Sequence, residues 1–138
     1  MTNNLKWNTD IQEFSITSQR KIVMEIIKWC NETLRIIPRF NTLPQVILRN
    51  GKKSNSYGIY DSGKHLIIIY PDEQENLRRI IDTVIHEFTH SCQKKILRGY
   101  TPASKKFGYK KNPFEVEARE VARENRTACL KHLQNVFG

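Results

Sequence analysis

The sequence has 138 residues, 38% of them hydrophobic and 27% charged, which is enough for one domain with a modest core of its own. No run approaches the roughly 18 uninterrupted apolar residues of a membrane-spanning helix, so no such helix is expected. Lysine and arginine number 23 against 14 acidic residues, a formal charge of +9 that favours nucleic acid or acidic partners as a class. The basic residues are scattered in pairs such as Lys52-Lys53, Arg78-Arg79 and Lys110-Lys111, with no nucleic-acid motif among them, and a solvated basic surface is the plainer expectation.

Cys30, Cys92 and Cys129 form no C-x-x-C pair and fall inside helical patterns, so they are expected as small buried apolar residues rather than as disulfides or zinc ligands. The opening Met1–Lys6 lacks the basic-then-apolar pattern of a secretory signal. The expected setting is therefore reducing, intracellular and cytoplasmic, with no membrane association.

Residues 1–14 read as an irregular lead-in with isolated Leu5, Trp7, Ile11 and Phe14. Ser18 then caps a helix whose apolar residues Ile22, Val23, Ile26, Ile27, Cys30 and Leu34 recur at spacings of three and four, with Pro38 ending it. Three short strands follow, at 44–49, 56–60 and 65–70, the last two flanking Asp61-Ser62-Gly63-Lys64 as a hairpin. The pattern turns helical again from about Asp72 to Leu97, with Gly99 as its C-terminal cap. Residues 100–112 read as a surface loop. Asn112-Pro113 then opens a last helix reaching about Gln134. The expectation is one α+β domain over 1–138: an N-terminal helix, a three-stranded sheet with a hairpin, a site-bearing helix and a C-terminal helix.

The chemistry is concentrated in His86-Glu87-Phe88-Thr89-His90, an H-E-x-x-H pattern. Histidines four apart on a helix lie one turn above each other and can close on one metal ion, while the glutamate between them is turned towards a water on that ion. Zinc suits such nitrogen and oxygen donors and keeps a position open for water when three protein ligands hold it. It lowers the water's pKa to about 7, and Glu87 accepts the proton as the water attacks a carbonyl. On a helical wheel Leu77, Ile80, Ile81, Val84, Ile85, Phe88, Cys92 and Ile96 share one arc. His86 and His90 lie about 160° from its centre, away from the core.

A third ligand is needed, and the glutamates of the last helix are better placed than His65 or His132, which read as structural. The helix's apolar arc is Phe114, Ala118, Val121, Ala122, Ala128, Cys129, Leu133 and Val136, with Glu115 at one edge and Glu117 at the other. Geometry alone leaves the two equal, because Asn112-x-x-Glu115 also matches a capping box. Glu120 and Glu124 point outward, towards Arg123, Arg119 or solvent. Gln93, on the face of His86, is a candidate for the cleft. Tyr100 and Tyr109, between the two helices, are candidate donors to a developing oxyanion or else packing residues.

These segments resemble zinc peptidases of the gluzincin group, particularly the minimal members and the ImmA/IrrE type. His86–Gln93 is similar to their active-site helix, and Asn112–Arg119 to their second signature, a glutamate followed by x-x-Ala and then Asp or Asn. The resemblance covers roughly residues 45–125 and implies a zincin-like fold, endopeptidase activity on a protein or peptide, zinc as cofactor and Glu115 as third ligand. Arg119 stands where those families carry Asp or Asn to orient a ligand histidine. Tyr57–Tyr60 and Leu66–Ile69 resemble the strands that precede the metal helix, where an edge strand aligns an extended peptide. SprT-like proteases take their third ligand from a histidine in the following loop, and none lies between Gly99 and Asn112. A deformylase's Gly-Cys strand and a three-histidine endoribonuclease's third histidine are equally missing. A second reading comes from another class: a catalytically weak or inactive metalloprotease-fold module that docks nucleic acid or an acidic protein through its basic surface.

Overall fold

The computed structural model describes residues 5–34, 42–51 and 56–138. In chain order these form α1 (Ile16–Thr33), β1 (Gln45–Leu48), β2 (Gly58–Asp61), β3 (Leu66–Ile69), α2 (Leu77–Cys92), α3 (Ile96–Lys111) and α4 (Pro113–Phe137). The architecture is the expected α+β arrangement with one more helix. β3 is central in the order β1-β3-β2, parallel to β1 and antiparallel to β2, so β2 is an edge strand. The hairpin turn is tied by Asp61, whose Oδ1 accepts from the Gly63 and Lys64 amides at 3.0 and 3.1 Å.

α2 is the central element. Its apolar stripe (Leu77, Ile80, Ile81, Val84, Ile85 and Phe88) is at most 1% exposed and joins α1, Ile67 and Ile69 of β3, and Cys129 and Leu133 of α4 in one core. The lead-in is irregular, as expected, apart from one 3-10 turn at Ile11–Glu13, yet it belongs to that core: Leu5 and Ile11 are fully buried. It also completes the start of α2. The Trp7 and Thr9 carbonyls accept from the Arg78 and Leu77 amides, and Asn76 Oδ1 caps the Arg79 amide. The first donors of a helix have no partner within it, so a core helix needs such acceptors from elsewhere.

Several boundaries differ from expectation: α2 begins at Leu77, not at about Asp72, because Asn76 caps it and Pro71–Glu73 forms a separate 3-10 turn. α1 starts earlier, because Ser15 is the cap and Ser18 supplies the amide it accepts from; Pro38 lies outside the described residues. α2 stops at Cys92, and the segment expected as a loop is α3, interrupted at Gly108 (φ 77°) where the chain turns into α4. Gly99 is therefore not a cap. It sits inside α3 where a Cβ would come 2.9 Å from the Phe114 ring, and its missing side chain lets α3 lie close against α4. The three cysteines are buried and free, as expected. Among the described residues no helix is long and apolar enough to cross a membrane.

Because Ile11 fills the core from outside any long element, its truncation tests whether the lead-in belongs to the folding unit. Ile11→Ala is expected to lower stability by about 2–4 kcal/mol in urea unfolding, as for a core residue. A change below about 0.5 kcal/mol would show a lead-in that is merely draped over the surface.

Candidate metal centre

Two helix ends meet at the site. His86 and His90 lie in the last two turns of α2, and Glu115 lies in the first turn of α4. The Glu115 Oε1 atom is 2.7 Å from His86 Nε2 and 3.0 Å from His90 Nε2. The three ligand atoms all fall within 4.8 Å of one another, a geometry that could hold a metal ion. Glu115 shares a buried stripe with Ala118, Ala122, Cys129 and Leu133, and is itself 4% exposed. Ala128 and Val136, expected in the apolar arc, are exposed instead, so the buried face is turned towards Glu115 and away from Glu117.

The local sequence frees Glu115 for this role. Asn112 caps α4 through Oδ1, which accepts from the Phe114 amide at 3.0 Å, and its own amide donates to the Tyr109 carbonyl. The capping box is thus only half made, and the glutamate faces the imidazoles instead of folding back. The Tyr100 hydroxyl donates to Glu115 Oε2, occupying one carboxylate oxygen and leaving the other to the histidines.

Gln93 fixes the second histidine. Its Nε2 donates to the Phe114 carbonyl at 2.9 Å and to Glu117 Oε1 at 2.8 Å, so its Oε1 faces His90 and accepts from Nδ1–H at 2.6 Å. In the neutral ring this leaves the Nε2 lone pair aimed at the Glu115 carboxylate. Two acceptors in that position need a proton or a cation between them. The donor set fits a small divalent ion: metal–ligand bonds of about 2.0–2.2 Å space tetrahedral ligands roughly 3.3–3.6 Å apart, wider than the two imidazole–carboxylate contacts and inside the 4.8 Å spread of the three ligand atoms. Glu117, the alternative third ligand, is thus one step removed, behind Gln93.

Electrostatics follow from burial and these bonds. Burial alone would raise the Glu115 carboxyl, but hydrogen bonds from His86, His90 and Tyr100 outweigh it and hold the group well below the usual carboxylate range. Burial disfavours the charged His90 ring, yet Glu115, Glu87 and Gln93 raise its pKa overall. Burial and the Glu115 hydrogen bond both push the Tyr100 hydroxyl up. Burial also pushes the Glu87 carboxyl up to about 8, with Glu115 adding to the rise and His90 opposing it.

Glu87 and His86 line a cavity of about 710 Å³, with Tyr57 and Gly58 at the start of β2 on one wall and α4 on another. Tyr109 is 62% exposed and borders this cavity, whereas Tyr100 is engaged with Glu115. His65 and His132 take no part: His65 bonds Tyr60 and the Thr42 carbonyl, and His132 pairs with Glu25 at 3.0 Å. Arg119 donates to the Lys110 carbonyl, and Glu120 pairs with Arg123. No family model, curated protein or solved structure matches the chain.

Two outcomes follow. Gln93→Leu is expected to weaken metal binding about 10- to 100-fold while leaving the helical content intact by circular dichroism, since it removes the amide that orients His90 and its two bonds to α4 but no part of the apolar core; unchanged affinity would remove Gln93 from the site. In the metal-free protein the Glu87 carboxyl titrates above its ordinary 4.5, so its contribution to stability is complete below that value and is lost as the pH rises through about 8. Stability to urea should fall across that window by up to about 1.4 kcal/mol per pH unit for this proton. Glu87→Gln should make the fall shallower, leaving the part due to His90, which has the same sign.

Proposed function

We propose that the chain is a zinc-dependent endopeptidase of a zincin-like kind. The observation that carries this reading is the meeting of Glu115 with both imidazoles of the H-E-x-x-H helix, beside a cavity that Glu87 lines. His86, His90 and Glu115 would hold the ion, which supplies the Lewis acidity that polarises a peptide carbonyl and acidifies water. Glu87 accepts the water's proton and returns it to the leaving amine. Its burial suits this, because a carboxyl poised near neutral pH can both take and give a proton. β2, the edge strand among the described residues, borders the cavity at its start and offers its outer side to an extended substrate. Tyr109 is the tyrosine at the cavity and the better placed of the two to reach a developing oxyanion.

The expected result is about one zinc per chain and cleavage of unstructured protein substrates. Glu87→Gln should keep the zinc and lower cleavage about 100-fold or more. His90→Ala should lose both. Cleavage retained by Glu87→Gln would refute the assigned base, and a purified chain that takes up no zinc would refute the whole reading.

The second reading, a docking module, draws on α3. No acidic residue occurs between Lys94 and Lys111, and Phe107 and Tyr109 are exposed among the lysines. Absence of zinc together with a DNA affinity that falls steeply with salt would favour it.

A further inference from the structure

The cavity beside Glu87 has an uneven charge. Arg79, Arg119, Arg123 and Arg126 border it, against Asp82, Glu87 and Glu120. The arginines are not equivalent. Arg126 Nε lies 2.9 Å from Asp82 Oδ1 in a pair about one-fifth exposed, and this pair joins α2 to α4. The Arg123–Glu120 pair is exposed (64% and 50%), as is Arg79–Glu75 (40% and 56%). Exposed pairs of this kind are worth little and exchange readily for another carboxylate. Arg119 has no carboxylate partner among the described residues, and it donates to the Lys110 carbonyl. Arg79 is held over the Tyr57 ring at 4.2 Å, on the β2 side of the cavity.

Spacing gives these charges a direction. Glu115, Arg119 and Arg123 follow one another at intervals of four along α4, about 6 Å per interval at 1.5 Å per residue. An extended peptide presents side chains on one face every second residue, about 6.6 Å apart. A chain lying along this helix with its reacting carbonyl near Glu115 therefore brings alternate side chains to Arg119 and then Arg123.

We propose that the cavity selects acidic peptides: substrates carrying Asp or Glu at alternate positions on one side of the scissile bond, read by Arg119 and Arg123 with Arg79 opposite. This rests on the endopeptidase reading of the neighbouring centre. Asp82 and Glu120 interrupt the basic lining, which disfavours a continuous phosphate backbone and suits separated carboxylates. The same Arg119 that departs from the gluzincin signature is thereby given a place, since Gln93 orients His90 without it.

The test uses the full chain loaded with zinc and fluorogenic peptides carrying Asp/Glu, Asn/Gln or Lys at each flanking position. Acidic residues on one side should raise kcat/KM about tenfold over their amides, with the preference shrinking as salt rises. The Arg119→Glu and Arg123→Glu pair should abolish that preference and favour lysine, and Arg119→Gln with Arg123→Gln should abolish it without reversal. Cleavage indifferent to acidic residues, or a preference untouched by these variants, overturns the proposal while the endopeptidase stands. Should no peptide be cleaved, the endopeptidase reading fails and binding decides the cavity, by fluorescence anisotropy of an Asp/Glu-rich peptide on the same proteins. Binding lost in the Glu variants upholds an acid-reading cavity. Equal binding of the Asn/Gln peptide, or displacement by a single-stranded oligonucleotide of equal charge at lower concentration, overturns it.

Discussion

A single buried carboxylate sets the geometry of this molecule. Glu115 is almost fully enclosed, and an ionised carboxylate in that position is tolerable only if its oxygens are matched by donors. One oxygen faces His86 and His90 of α2 and the other receives Tyr100 of α3, so three helices are bound to one side chain. The helix ends reinforce the choice. A negative charge at the start of α4 and a positive one, whether imidazolium or metal, at the end of α2 both align with the partial charges of those termini. Removing the carboxylate would leave two inward-facing imidazoles and a buried hydroxyl without their common partner.

The arrangement places demands on the rest of the fold. α2 is covered on nearly every side, since Thr83, Thr89 and Ser91 are buried along with its apolar stripe. The hydroxyls of Thr89 and Ser91 turn back to the carbonyls of Ile85 and Phe88 in their own helix, while Thr83 donates to Gln74 Oε1. Gln74 in turn donates to the Tyr57 and Tyr70 carbonyls, and so couples the helix to the segment entering β2. Further along, Gln93, the residue that terminates α2, is held by α4 and holds His90. The helix that presents the histidines is thus held at its middle and at its C-terminal end by side-chain amides, which favours a preset ligand geometry.

Much of this was legible in the sequence, and the limits have physical causes. The α2 stripe and the hairpin show strong periodicity because burial on one face enforces it. α3 shows almost none. It is anchored by discrete contacts (Gly99 on Phe114, Tyr100 on Glu115, Arg119 on the Lys110 carbonyl) and only Ile96 is buried, so the Pro102 and Gly108 signals for a loop outweighed a weak helical pattern. Reading the histidines as remote from the core was correct for the apolar arc but incomplete, because α3 and α4 close over His90 and bury it in polar company. The choice between Glu115 and Glu117 could not come from one helix alone. It depends on which face of α4 meets α2, and Ala128 and Val136 carry no mark that they stay in solvent. Gln93 was visible only as a polar residue on the right face; the partner that gives it a function comes from 24 positions further on.

The burial of Glu87 connects the centre's acid–base chemistry to cation binding. Without a cation, desolvation holds this carboxyl largely protonated at neutral pH, and Glu115 adds to that tendency by its own charge. A divalent ion held by His86, His90 and Glu115 would reverse the local potential, favouring the ionised form of Glu87 and the neutral form of His90. Metal uptake would then be coupled to proton release, and Glu87 would be able to act as the proposed base only with the site loaded. A net charge of +9 opposes a cation's approach, so the ionised Glu115 must supply the attraction locally. The exposed arginines of the neighbouring cavity have the opposite sign and would, on the proposed reading, attract acidic chains without entering the ligand set. The fold can hold both charges because they follow one side of α4 from its buried edge outward: the carboxylate in the buried stripe, the guanidiniums one turn and two turns along the exposed flank.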